Sequence, residues 1–193
     1  MVKLNDRRPT QGTDELDQVF LDRRSTRAFS SEPLDQSVID TLFEAARWAP
    51  SAVNSQPWEF IYATDGPERQ LFDELVKPGN RRWASSAPLL AFLVTKKHNG
   101  EGRVFRTNQF DAGAAWMALA LQATRLGLYT HAMGGIEIDQ VHEKLGLSPD
   151  NYDVMIGIVI GRLGDAADLP EDLQEREIPN GRKPLSEVAS RWE

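Results

Sequence analysis

The stretch from Leu89 to Thr95 restricts the folds open to this chain more than any other. It is a continuous apolar run between Pro88 and the polar Lys96-Lys97-His98-Asn99-Gly100. Without polar alternation, such a run suits a strand buried on both faces, which needs a covering layer on each side of its sheet. The flanking sequence supplies candidates. Val38, Ile39, Leu42, Phe43, Ala46 and Ala49 recur at helical steps behind Asp35, a good N-cap, and Pro50 stops them. A long helix is predicted from about Thr107 to Leu126, lined by Ala112, Ala114, Ala115, Met117, Ala118, Leu119 and Leu121, with Gly127 at the C′ place. Its small residues let another backbone approach closely.

Shorter elements fill the intervals. A helix begins near Asp14 with Leu16, Val19 and Phe20 and runs into the basic stretch towards Ala28. Pro67 opens another, lasting to about Val76 and closed by Pro78-Gly79, and Asp139 caps a third that ends at Gly146. Trp58 to Tyr62 and Val154 to Ile160 read as strands. Residues 1–13 form a loose polar lead-in, and residues 162–193 a charged, proline-bearing tail that wraps over the surface. With no repeat, linker or low-complexity segment, residues 1–193 are expected to form one domain, an α/β or α+β sandwich.

Composition narrows the chemistry. Lys plus Arg number 22 against 29 Asp plus Glu, a net charge of −7, so neither nucleic acid nor an anionic membrane is an expected partner. The chain has no cysteine, which excludes disulfides, thiol nucleophiles and cysteine-held metals; redox chemistry would have to come from a cofactor. The first twenty residues contain no apolar signal core and no run of eighteen apolar residues occurs, so a cytoplasmic location is expected. His98, His131 and His142 are dispersed and no metal site is expected. Phosphate-loop, dinucleotide-fingerprint and nucleophile-elbow patterns are absent.

Four features could carry chemistry. Arg23, Arg24 and Arg27 surround Ser25 and Thr26, a density of guanidinium and hydroxyl donors that matches a phosphate, although a solvated helix end explains them too. Arg182-Lys183 in the tail is either an exposed turn or a second contact to the same anion. Pro50-Ser51-Ala52-Val53-Asn54-Ser55-Gln56-Pro57 offers amides suited to a heterocycle edge, yet such residues also fill ordinary loops. Met133-Gly134-Gly135 allows close backbone approach to a flat ligand, or is a plain turn. Phe105, Phe110, Trp83 and Trp116 could wall a ligand but read better as core.

Taken in order, Arg23-Arg24-Ser25-Thr26-Arg27-Ala28-Phe29, Ala49-Pro50-Ser51-Ala52-Val53-Asn54-Ser55-Gln56-Pro57-Trp58 and Met133-Gly134-Gly135 resemble the nitroreductase family of FMN enzymes, from about Leu16 to Leu185. The resemblance implies an α+β three-layer sandwich: a central, mainly antiparallel sheet flanked by helices, with a domain-exchanged C-terminal tail. It implies a homodimer with FMN at the subunit interface. Arg23, Ser25 and Arg27 would hold the phosphate and nearby ring edge, Arg24 would support them, and Arg182 and Lys183 would close that end. Pro50, Ser51, Ala52 and Asn54 would come from the other subunit, Asn80 would lie near the pyrimidine, and Met133, Gly134 and Gly135 would line the flavin. Where the family often places a glutamate in or near the glycine step, this chain has Glu137 two residues after Gly135. The implied activity is ping-pong hydride transfer from NADH or NADPH, through flavin N5, to nitroaromatic, quinone or related small-molecule acceptors. The alternatives are a flavin store or sensor with little turnover, and flavin-destructase or dehalogenase chemistry.

Overall fold

The computed structural model describes residues 15–178 and 180–192; the expected lead-in at residues 1–13 lies outside the described residues. Among the described residues four strands, β1 (Trp58–Ala63), β2 (Leu89–Lys96), β3 (Tyr129–Met133) and β4 (Tyr152–Gly161), form one sheet in the order β1-β2-β4-β3. Every neighbouring pair is antiparallel. The apolar run thus becomes the interior strand β2, whose side chains alternate between two separate cores. Leu89, Ala91 and Leu93 enter one; Leu90, Phe92 and Val94 enter the other.

Helices cover both faces. On the first, α2 (Gln36–Arg47) contributes Ile39, Leu42 and Ala46, and α5 (Asn108–Arg125) contributes Ala112, Ala115, Leu119 and Ala123. On the second, α3 (Gly66–Glu74) brings Phe72, α4 (Pro78–Ala84) Trp83, α6 (Ile138–Lys144) Val141 and α7 (Glu171–Gln174) Leu173. Leu42 and Leu119 are fully buried, each worth about 1.5–3 kcal/mol relative to exposure. The architecture is an α+β three-layer sandwich on an antiparallel sheet, as the resemblance implies.

Local departures from expectation have physical causes. The first helix, α1 (Gln18–Asp22), is short, capped by the Asp17 carboxylate, and ends before the basic stretch. Residues 23–30 are instead irregular, and Ala28 to Ser30 are held by the start of the tail: Phe29 bridges Leu163, the Gly164 N–H donates to the Ala28 carbonyl at 2.9 Å, and the Ser30 N–H to the Arg162 carbonyl at 3.0 Å. A Cβ on Gly164 would lie 2.6 Å from the Phe29 carbonyl carbon, so this crossing requires glycine. Pro78-Gly79 opens α4 rather than closing α3, because proline is at home in a first helical turn, where its missing N–H costs nothing. At α6 the N-cap is Glu137 and Asp139 lies in the first turn. Strand β3 was not among the expected strands; its half-polar sequence suits the sheet edge it occupies.

The tail first packs on its own chain, burying Leu169 and Leu173 in the second core. Beyond Pro184, Leu185, Val188 and Trp192 stand exposed.

Candidate functional site

The irregular residues after α1 and the tail after α7 meet over β3 and enclose a cleft of about 600 Å³. Arg23, Arg24, Ser25 and Arg27 line it from one side, Arg176, Glu177 and Arg182 from the tail, and His131 from β3.

Glu177 organises the meeting. Its Oε1 accepts the Arg27 backbone N–H at 2.9 Å and pairs with Arg27 Nη1 at 3.7 Å, while Oε2 accepts the Thr26 hydroxyl. Thr26 is itself buried. Arg24 donates to the Glu177 carbonyl at 3.4 Å and lies over the Tyr129 ring, 5.5 Å from its centre. The guanidinium of Arg27 stands 5.9 Å from the ring centre of Trp83, a cation–π contact from above the core.

The charge in the cleft is far from balanced. Burial, and then the like charge of Arg182, push the Arg23 guanidinium below its ordinary pKa. Burial above all lowers His131; Arg27 and Arg23 add to this, against the Thr26 carbonyl and Glu177. His131 is therefore neutral at pH 7, with Nδ1–H donating to the Thr26 carbonyl at 2.8 Å. Five arginines facing one carboxylate form a site that an anion would relieve.

A second group lies away from this cleft. Between α2 and β1, Val53, Asn54 and Gln56 adopt left-handed conformations with φ of 50°, 57° and 45°. For non-glycine residues this conformation is strained. The loop is pinned from α5: the Ala52 N–H donates to Asp111 Oδ2 at 3.2 Å, and the Thr107 hydroxyl to the same oxygen at 3.1 Å. Inside the loop the Gln56 N–H donates to Ser51 Oγ at 2.9 Å. Pro50, Ala52 and Asn54 are exposed and Ser51 is half-buried.

The third group surrounds the glycine step. Met133 is buried in the core. Gly134 is exposed, with open space where a Cβ would be. The Gly135 carbonyl accepts the Lys77 N–H at 3.0 Å and Asn80 Nδ2 at 3.4 Å, and a Cβ on Gly135 would come within 2.4 Å of that Asn80 nitrogen.

The structure therefore gathers Arg23, Arg24, Ser25, Arg27 and Arg182 into one cleft and joins Asn80 to the glycine step. It keeps Pro50, Ser51, Ala52 and Asn54 apart from that cleft. Lys183 is exposed and pairs with Glu187 at 3.5 Å rather than lining the cleft. Trp83 is core, Phe105 and Trp116 are half-buried, and Phe110, expected in the core, is 79% exposed on α5. Sequence reasoning missed Glu177, one of several carboxylates in a charged tail, and Asp111, which resembles a residue balancing the dipole of a helix's first turn. His131 had a faint signal: a histidine amid Tyr129, Thr130 and Met133, between two glycines.

Comparisons with known proteins bear on the family and the fold. The model of the Nitroreductase family matches residues 21–82 and 63–162, well over half of the chain. A solved structure described as an oxidoreductase containing FMN superposes with a TM-score of 0.89 and 45% identity, covering 95% of this chain and 93% of that one. A Streptomyces coelicolor protein described as an NADH dehydrogenase/NAD(P)H nitroreductase is 39% identical over 80 residues, 39% of this chain and 38% of its own length. A Rhodopseudomonas palustris protein of the same description is 33% identical over 100 residues, 51% of each chain. The chain thus spans about half or less of the length of these curated relatives. Among the described residues, no helix is long and apolar enough to cross a membrane.

Proposed function

Because this chain belongs to the nitroreductase family, we propose that it is an FMN-dependent oxidoreductase, drawing electrons from NADH or NADPH and reducing small electron-poor acceptors such as nitroaromatics and quinones. The observation that carries this reading is the arginine cleft, whose uncompensated positive charge matches a phosphate monoester. Bound FMN would supply the hydride chemistry, which is why the chain needs no catalytic dyad of its own.

The roles of the protein groups follow from their positions. Arg23, Ser25, Arg27 and Arg182 hold the phosphate, and Arg24, braced on Tyr129, keeps the cleft positive. Neutral His131 fixes the Thr26 carbonyl and avoids adding a further buried cation. Gly134, open and without a side chain, lets the ring approach the backbone, and Asn80 buttresses the glycine step from α4. The strained loop at Pro50, Ser51, Ala52 and Asn54 does not line its own chain's cleft, so we infer that a second copy presents it across a homodimer interface. Phe110 and Met117, seven residues apart on α5 with open Gly113 between them, form an exposed stripe suited to that contact.

The spectrum tests the reading. Purified protein should be yellow, bleach anaerobically with NADH or NADPH, and recover on adding a quinone or nitroaromatic. Colourless protein that takes up no FMN overturns the proposal, and yellow protein indifferent to both nicotinamides is a flavin store instead. Arg27→Ala removes a charged contact worth about 1.5–3 kcal/mol, so it should weaken FMN binding roughly ten- to hundredfold and release the flavin on dialysis. Retention at wild-type stoichiometry removes Arg27 from the phosphate site.

A further inference from the structure

A carboxylate at the rim of a phosphate cleft is, by charge alone, the wrong residue. Glu177 nevertheless projects into the motif, with its side chain only 9% exposed and both oxygens engaged. It takes the Arg27 N–H and the Thr26 hydroxyl, two donors that the basic motif would otherwise offer to an anion. The contacts continue on the backbone: Arg24 donates to the Glu177 carbonyl at 3.4 Å, and Arg27 Nη1 to the Arg176 carbonyl at 3.5 Å. The tail is thus tied to the motif at residues 176 and 177, and Arg182 follows five residues later.

Chain geometry gives this attachment a consequence. The preceding hydrophobic anchor, Leu173, lies nine residues before Arg182. At about 3.3–3.6 Å per residue, a tail held only there could carry Arg182 through roughly 30 Å, against about 17 Å when held at Glu177. A cation confined in this way meets the bound anion at a higher effective concentration. The acid's repulsion is outweighed, since it faces five arginines and is itself paired with Arg27.

We propose that Glu177 is a positioning residue: its carboxylate latches the tail to the Thr26–Arg27 backbone and thereby holds Arg182 against the FMN phosphate. It acts through Arg182 and does not touch the ligand. The proposal rests on the FMN reading above, and the experiment separates the two.

FMN release from the holoprotein is followed by the rise in flavin fluorescence on dilution, for wild type, Glu177→Ala, Glu177→Gln, Arg182→Ala and the double variant Glu177→Ala/Arg182→Ala. Release should quicken about tenfold in Glu177→Ala, the scale of one charged hydrogen bond. Glu177→Gln, whose amide oxygen still accepts the Arg27 N–H and whose amide N–H can donate to the Thr26 hydroxyl oxygen, should stay within about threefold of wild type. Adding Glu177→Ala to Arg182→Ala should change release less than about twofold, because the residue that the latch positions is already gone. A merely structural role would not produce that non-additivity. Release unchanged or slowed in Glu177→Ala, or a full tenfold effect on the Arg182→Ala background, overturns the latch. If Glu177→Ala does not fold, Glu177→Asp replaces it; its carboxylate is withdrawn by one methylene, release should be about threefold faster, and wild-type release overturns the proposal. Wild-type protein that forms no FMN complex refutes the site reading itself, whereas tight wild-type binding with an indifferent Glu177 refutes only the latch.

Discussion

His131 shows how one residue ties the cleft to pH. Its ring packs on Trp83 with centroids 4.5 Å apart, and its pKa lies below the ordinary 6.5 because burial and the neighbouring arginines disfavour the charged form. A histidine that binds its proton less readily folded than unfolded leaves stability untouched at high pH and subtracts from it as pH falls below about 6.5. Urea titrations of the flavin-free protein at pH 8 and pH 5.5 should therefore show wild type losing more stability over the interval than His131→Asn; equal losses would mean His131 does not titrate as its surroundings dictate. The arginine motif was legible because its density is unusual in an acidic chain. His131, Glu177 and Asp111 were not, because a residue type that is common in loops and helix ends acquires meaning only from the partner that folding brings to it.

At the scale of elements, the connection between α2 and β1 combines exposure with strain. Val53 is 79% exposed and β-branched, yet has φ of 50°, where a left-handed residue other than glycine costs roughly 1–2 kcal/mol. Val53→Gly should raise stability by about 1 kcal/mol in urea unfolding while lowering turnover, as expected if the loop is held rigid for use. A destabilised variant would show that the side chain makes contacts outweighing the strain. The long elements α2, α5 and β2 were legible from periodicity or unbroken apolarity, since burial on a fixed face leaves a repeating trace. Strand β3 and helix α4 left none: the first is short and half-polar at the sheet edge, and the second opens on a proline that also serves to end helices.

For the whole molecule, the separation of the loop at Pro50–Asn54 from the arginine cleft and the exposed stripe on α5 point to the same arrangement. Sedimentation of the FMN-loaded protein should give a dimer, and Phe110→Arg should yield a folded monomer that has lost its flavin. Wild-type monomer with FMN bound would contradict a shared site. No local pattern could have disclosed the order β1-β2-β4-β3 or the return of the tail over β3, because each depends on contacts between residues far apart in the chain. Because β2 is buried on both faces, it is also a partition between two hydrophobic interiors that do not merge. In the proposed holoprotein the tail that bounds the arginine cleft is therefore anchored in only one of these interiors, through Leu169 and Leu173, while the loop lent by a second copy is joined to the other, through α2 and α5.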